Sequence, residues 1–436
     1  MPCRQRTEAQ WSLESRLSIE NHLSKKSQTA LTPQSPITYS RYRWTVISIW
    51  LFSSVSSFMV LNTLGILLPA ISAELSLSPS QQGLLGSASH WGNIALAIPL
   101  SLATSRLSPK LLTAATITLA TFCLFLQAWA PVFSVLLIGR LLFGVANIAQ
   151  QPARALLTRQ WFPPKEVIFV NGLSNVFFGL VVGGGLVLAP VILSMVGGDW
   201  RTMLQIFGFY FAGITILWLI LGKTRTNEAD QGVVGPQGWA VIKGALGHRD
   251  LWIGGMGFAG ATASFGAFLA FYPTLMLEEY DISLQISGGI LALGVIVGGI
   301  GGLAIAWAAS TTGREGNFLQ ALGILMIVTN IGMITTGSLP FLFVVSFLNG
   351  VAWAFFPILV TVPFHLPGIR PRELAVAFSF TMMSTSVGTS LGPLFTGFLQ
   401  EGFDSLKVAL FIISFSSVSL IIAGSTLRFR SQRTND

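Results

Sequence analysis

The chain of 436 residues is 52% hydrophobic and only 10% charged, whereas soluble domains carry roughly 25% charged residues. That composition excludes an ordinary soluble domain. Its 25 Lys and Arg against 17 Asp and Glu give a net charge of +8, so the distribution of the charge must decide between a nucleic acid and a membrane as partner.

Long uncharged runs follow one another along the chain. They are apolar on every side, and each is long enough to cross a hydrocarbon core of about 30 Å as a helix of about 20 residues. Pro and Gly clusters such as Ala130-Pro131 and Gly197-Gly198 separate them. We predict an all-α integral membrane protein with twelve transmembrane helices. The predicted spans are 44–72, 80–104, 109–129, 132–157, 166–193, 201–222, 250–277, 283–308, 316–336, 340–362, 372–399 and 405–427.

Basic residues mark one side of the membrane. The N-terminal region, the even-numbered loops and the C-terminus carry nearly all Lys and Arg, whereas the odd-numbered loops are acidic apart from Arg201 and Lys407. The positive-inside rule therefore predicts a protein of the cell (plasma) membrane, with both termini and a central loop over 223–249 in the cytoplasm. Residues 1–40 are polar and lack the apolar core of a signal peptide, so we predict a disordered cytoplasmic tail. Topology accounts for the net charge, and no nucleic-acid partner is expected.

The two halves of the chain repeat one another. Glu74 ends the first span and Glu278 the seventh, 204 positions later, while Gly144 in span four matches Gly350 in span ten, 206 positions later. We therefore predict two pseudo-symmetric six-helix bundles. They are residues 41–222 and 250–430. Repeats of this kind are typical of secondary transporters, whose substrate site lies between the halves near the bilayer midplane.

Over residues 41–430 the chain resembles the major facilitator superfamily. The residues that carry the resemblance are the six-plus-six repeat, the central loop and the span-four pattern Gly139-Arg140-Leu141-Leu142-Phe143-Gly144. Residues 160–166 are similar to the matching loop of anion transporters in that superfamily. The resemblance implies alternating access between the two halves.

The superfamily's usual motif between spans two and three is degenerate here, because Ser105 stands where an Asp is expected. The candidate gating residues of the two repeats are Ser105, Arg106, Gly313 and Arg314. Without that Asp, we expect the cytoplasmic side to be held closed by packing of the Gly-rich spans five and eight rather than by ion pairs.

Arg140 is the one cation well inside an apolar run, and no Asp or Glu lies inside any run. A charge at that depth is a functional-site hypothesis, and a planar guanidinium suits a carboxylate, nitrate or phosphate. At 1.5 Å per residue, His90 and Asn62 fall in the same layer, just outside the midplane. Either an anionic substrate completes the charge of Arg140, or Arg140 is a structural residue satisfied by carbonyls and waters. Both interpretations stay open.

The candidate substrate-binding residues are Arg140, His90, Asn62, Asn147, Gln151 and Asn175 in the first half, and Phe268, Asn349 and Trp353 in the second. Where this chain has Asn147, related organic-anion transporters often carry a Glu. The second half offers aromatic groups and no matching cation, which favours a small anion with an apolar or planar part.

We predict a secondary active or facilitative transporter that moves a small anionic solute by alternating access. The alternatives are an efflux transporter for amphipathic, drug-like compounds and a non-transporting membrane sensor or scaffold. No Walker-type phosphate loop occurs and the four His residues are scattered, so neither ATP, a metal, a cofactor nor an enzyme activity is expected. We expect a monomer in the lipid bilayer, with a small-molecule substrate as its partner.

Overall fold

The computed structural model describes residues 42–104, 108–162, 164–223 and 239–427. Within these ranges every predicted span coincides with helical segments. The α-helices are α1 (Tyr42–Asn62), α2 (Leu64–Leu75), α3 (Pro79–Thr104), α4 (Pro109–Ala128), α5 (Phe133–Trp161), α6 (Pro164–Met195), α7 (Trp200–Leu221), α8 (Trp239–Leu246), α9 (Arg249–Tyr280), α10 (Leu284–Thr312), α11 (Glu315–Thr335), α12 (Leu339–Ala352), α13 (Phe355–Val360), α14 (Pro371–Phe403), α15 (Leu406–Ser414) and α16 (Val418–Thr426). Short 3-10 segments lie at Val362–His365 and Phe415–Ser417.

Length and hydropathy support a membrane-spanning bundle. In the described ranges, nine helical stretches are long and apolar enough to cross a membrane. The other three predicted spans, the second, fourth and eleventh, are helices of 26, 29 and 33 residues that carry more polar side chains. The all-helical membrane fold is therefore confirmed, and the predicted count of twelve is consistent with these lengths.

The predicted spans and the central loop differ from the structure in local detail. The first span is interrupted at Thr63, which separates α1 from α2, and spans ten and twelve are each divided into shorter helical segments. The segment predicted as a central loop contains the helix α8, which is only eight residues long and too short for its periodicity to stand out. The apolar residues of α8 pack with Ala245 at their centre into a small core that also contains Leu251 and Ala377.

The two halves use the same helix crossing at repeat-related positions. A Cβ on Gly144 would lie 2.0 Å from the carbonyl oxygen of Ser89, so only glycine allows α5 to cross α3 this closely. In the second half, a Cβ on Gly350 would lie 2.6 Å from the carbonyl oxygen of Gly294. Ser89 and Gly294 are 205 positions apart, and the two glycines 206. The repeat in the sequence is thus a repeat in helix packing.

Three close crossings join the two halves. A Cβ on Gly65 of α2 would lie 2.0 Å from the carbonyl oxygen of Leu269 in α9, and one on Gly288 of α10 would lie 2.4 Å from that of Leu186 in α6. The third crossing brings Gly83 of α3 against α14. All three lie between the middle of the bundle and its acidic end, which we define as the end that carries Glu74, Glu279 and Glu401.

The Gly-rich spans five and eight make close contacts on the acidic side of the middle of the bundle. These contacts run from Gly179 and Gly299 toward the acidic end. The expectation that packing of these two spans holds the cytoplasmic side closed stays a prediction.

An ion pair ties helix ends within each half at the acidic end. Arg201 Nε lies 2.8 Å from Glu74 Oε1, and the Nη1 of the same Arg donates to the carbonyl of Ala130 at 2.7 Å. In the second half, Lys407 Nζ lies 3.3 Å from Glu279 Oε1. The sequence pattern matched Glu74 with Glu278, whereas the structure makes Glu279 its counterpart.

Candidate functional site

A central cavity lies between the two halves. Its first-half wall consists of Leu61, Asn62, Leu64, Gly65, Gly86 and His90. Its second-half wall consists of Gly266, Leu269, Ala270, Thr389 and Pro393. The cavity lies beside the Gly65 crossing, because glycine leaves room where two backbones approach. Two predicted site residues, Asn62 and His90, therefore face one space.

Arg140 lies directly behind the first-half wall and is only 3% exposed. Its Nη2 donates to the carbonyl of Leu61 at 2.6 Å, beside the interruption at Thr63. A side chain that inserts into the hydrogen-bond ladder is a recognised cause of such breaks, so Arg140 and the interruption explain each other. Because Gly144 follows one turn later on the same face of α5, the Gly144–Ser89 crossing brings Arg140 close to α3.

Within the described part of the chain, the charge of Arg140 has no acidic partner. No Asp or Glu lies inside an apolar run of the sequence, and the ion pairs of the described residues involve other cations. Its Nε atom is buried and has no hydrogen-bond partner within the described part of the chain. The guanidinium thus keeps an unused donor and an uncompensated positive charge next to the central cavity.

The two polar residues of the cavity wall differ in how much of their hydrogen-bonding capacity is used. Asn62 Nδ2 donates to the carbonyl of Phe58 at 2.7 Å. His90 is half-buried and makes no hydrogen bond to another described residue. One turn after His90, Asn93 Nδ2 donates to Ser386 Oγ across the two halves. Sequence analysis missed this bridge, since an Asn in an apolar run carries no sign of its partner.

The other first-half candidates lie deeper along α5 and α6. Asn147 is buried, and its Oδ1 has no partner within the described part of the chain. It lies two turns from Arg140 toward the basic end. Gln151 and Asn175 are on α5 and α6, and their side chains lie outside the described part.

The second-half candidates line a different space, which we call the C-terminal cavity. Phe268, Asn349 and Trp353 are part of its wall. Leu269 lines both the central and the C-terminal cavity. The structure therefore divides the predicted site residues between two adjacent spaces rather than placing them around one.

The candidate gating residues are only partly described. Ser105 and Arg106 lie outside the described residues. Gly313 ends α10 with φ of 64°, a left-handed conformation that favours glycine, and Arg314 next to it is exposed. A gating role for these four positions stays a prediction.

Comparisons with known proteins agree with this architecture. The sequence profile of the Major Facilitator Superfamily matches residues 50–393. A Bacillus subtilis protein named uncharacterized transporter YybO is 25% identical over 419 residues, which cover 87% of this chain and 91% of that protein. An Escherichia coli protein named a probable L-galactonate transporter is 21% identical over 403 residues, which cover 85% of this chain and 86% of the relative.

Solved structures share the fold. A bacterial homolog of the human lysosomal transporter Spinster, in an inward-facing and unoccupied conformation, superposes with a TM-score of 0.73 at 16% sequence identity. The match covers 88% of this chain and 96% of that one.

Proposed function

The chain belongs to the major facilitator superfamily, whose members are membrane transporters and not enzymes, and on this premise we propose that it carries a small anion by alternating access. The rocking units are the two six-helix halves, residues 41–222 and 250–430, and the close glycine crossings between them support a form closed at the acidic end. The acidic end faces outward from the cell membrane, with both termini in the cytoplasm. The protein works as a monomer.

One observation carries the choice of an anion, namely the buried and uncompensated charge of Arg140. Removing a cation from water costs several kcal/mol unless an opposite charge or hydrogen bonds replace the lost hydration. Here a single carbonyl, that of Leu61, accepts from the guanidinium within the described part of the chain. An anion in the central cavity would supply the missing charge, so binding is favoured by the relief of that cost.

The cavity wall supports the same choice. His90 and Asn62 offer donor groups on the first-half side, and the second-half wall is apolar apart from Thr389. Rotation of Arg140 away from Leu61 is expected to bring its planar fork to the anion, where two parallel hydrogen bonds to a carboxylate are possible. The relative named a probable L-galactonate transporter is consistent with a small carboxylate as cargo.

Substitution of Arg140 tests the proposal. Purified protein is screened by thermal shift against acetate, lactate, nitrate, cyanate and galactonate, because a ligand that binds only the folded state raises the melting temperature. Loss of ~3 kcal/mol of charge interaction in Arg140→Gln weakens binding about 100-fold. Arg140→Lys keeps the charge but loses the fork, and should bind with intermediate affinity.

The matched control is Arg201→Gln, which removes a cation at the acidic end, away from the central cavity. It should leave anion binding unchanged. A folded Arg140→Gln protein that binds the anion with wild-type affinity would overturn the proposal and leave Arg140 a structural residue of the α1–α2 interruption.

A further inference from the structure

The C-terminal cavity combines aromatic walls with a pair of amide side chains. Phe265, Phe268 and Trp353 line it, and the ring centroids of Phe265 and Trp353 are 4.1 Å apart. Asn330 of α11 and Asn349 of α12 supply its amides. The cavity lies inside the second half, behind α9, and is separate from the space between the halves.

The hydrogen bonds determine how the two amide groups are oriented and which N–H donor has no partner among the described residues. Thr329 Oγ1 donates to the carbonyl of Leu325 at 2.7 Å, so its oxygen can only accept from Asn349. Asn349 Nδ2 therefore donates, to Thr329 Oγ1 at 2.9 Å and to Asn330 Oδ1 at 2.8 Å. Asn330 is 3% exposed, and its Nδ2 has no partner within the described part of the chain. The relay thus leaves one buried N–H donor group on the cavity wall.

The fold itself does not require these amides. At the repeat-related positions, 205 and 206 residues earlier, the first half has Phe125 and Phe143. Phe143 is fully buried there, in contact with the aromatic ring of Phe211. The first half therefore has an apolar side chain at each of the two positions, so neither position presents a buried donor there. The amide pair of the second half is a departure that destabilises the bundle unless a ligand or a buried water accepts from Asn330.

The lining of the cavity defines the ligand group. None of its lining residues is charged, so a carboxylate would be buried there without a counter-charge. Flat aromatic walls favour a planar or apolar group, and Asn330 requires an acceptor oxygen on it. Leu269 lines both cavities, so the two spaces adjoin at this side chain.

We propose that the C-terminal cavity is a second substrate subsite, which takes the uncharged end of the transported anion. That end is a planar or apolar group with a neutral acceptor oxygen, such as a carbonyl, and Asn330 donates to it. The proposal rests on the proposed function, because the charged end of the same molecule is assigned to the central cavity beside Arg140.

Neutral fragments test the subsite without the anion. Acetophenone carries a carbonyl oxygen on a planar ring, and α-methylstyrene has the same shape with a methylene group instead. Their affinities for purified protein in nanodiscs are compared by saturation-transfer NMR. Wild-type protein should bind acetophenone about tenfold more tightly, which corresponds to ~1.4 kcal/mol. This comparison needs no variant, so it holds even if a substitution prevents folding.

Variants then assign the preference to Asn330. Asn330→Leu keeps the volume but removes the donor, and it should abolish the preference for acetophenone. Arg201→Gln, at a residue that lines neither cavity, is the matched control and should keep it. Equal affinities of the two fragments for wild-type protein, or a preference that survives Asn330→Leu, would overturn the subsite.

A linked probe joins the two ends of the proposed substrate. 4-Acetylbenzoate should lose about tenfold in affinity in Asn330→Leu and more in Arg140→Gln. If its affinity is unaffected by Asn330→Leu, the cavity does not hold the end of an anion and the proposal fails. Suppose instead that Arg140→Gln leaves the affinity for 4-acetylbenzoate unchanged, while the preference for acetophenone depends on Asn330. The proposed function then fails, but the C-terminal cavity is still a binding site for neutral groups.

Discussion

Gly65→Ala should shift the protein toward a state open at the acidic end. The added Cβ would lie 2.0 Å from the carbonyl oxygen of Leu269 and 3.0 Å from that of Ala270. Unstrained contacts between an aliphatic carbon and a carbonyl oxygen are about 3.3–3.6 Å long, so α2 and α9 have to separate by at least ~1.3 Å. Because the obstructing atom belongs to the backbone of a helix, no side-chain rotation can relieve the overlap.

The overlap in Gly65→Ala raises the free energy of only one state of the transport cycle, the state closed at the acidic end. Overpacking of this kind destabilises by roughly 1–3 kcal/mol, and the contact exists only while the halves meet at the acidic end. The equilibrium should therefore move about 5- to 150-fold toward the opposite state. A cysteine in place of Thr389, which lines the central cavity, reports this shift through its labelling rate with an impermeant thiol reagent added at the acidic side.

Background labelling is small, because Cys123 is buried and Cys3 can be replaced by Ser. Gly184→Ala is the matched control, since a Cβ there would meet nothing within 4 Å. We expect faster labelling in Gly65→Ala and an unchanged rate in Gly184→Ala. Equal rates in the two variants would refute the argument that the Gly65 crossing closes the acidic end.

Three more predictions concern topology, coupling and the site. A reporter fused after residue 230 should read cytoplasmic and one near Glu279 external; the reverse at either place would invert the helix count. Since no carboxylate lies inside a span, His90→Ala should abolish any transport driven by a pH gradient when the substrate itself does not titrate, and persistent coupling would contradict this. Asn147→Glu should place a negative charge about 10 Å from Arg140. At an effective dielectric constant of ~20 this charge costs an anion bound at Arg140 ~1.6 kcal/mol, so binding should weaken roughly tenfold. Asn147→Gln adds no charge and should bind the anion normally. Unchanged affinity in a folded Asn147→Glu protein would count against the role of the Arg140 charge.

Much of the fold could be predicted because membrane-spanning helices follow from continuous apolar runs. The interruption at Thr63 could not, since Gly65 nearby is one of many glycines within the spans and the partner Arg140 lies 77 positions from Thr63 in the sequence. A tertiary contact of this kind overrides local propensity, and it becomes visible only when α5 is packed against α1 and α2.

The sequence predicts how deep in the membrane the candidate site residues lie, but not which side of each helix they occupy. Counting 1.5 Å per residue placed Asn62 and His90 in one layer, and both line the central cavity. The same count cannot tell which side of a helix faces which space, so Asn349 and Trp353 were assigned to a common site although they line the C-terminal cavity. Asn330 was not predicted at all, because one amide in an apolar run resembles a packing residue.

The two ion pairs at the acidic end have a consequence for the speed of transport. The Glu74–Arg201 and Glu279–Lys407 pairs each connect helix ends of the same half, so neither has to break when the halves separate. The barrier to separation then comes from apolar and backbone contacts, on which dissolved ions act weakly. For an uncharged analogue, the exchange rate between the two states should stay constant as potassium chloride is raised from about 10 mM to about 1 M, a range over which the Debye length falls from about 30 to 3 Å.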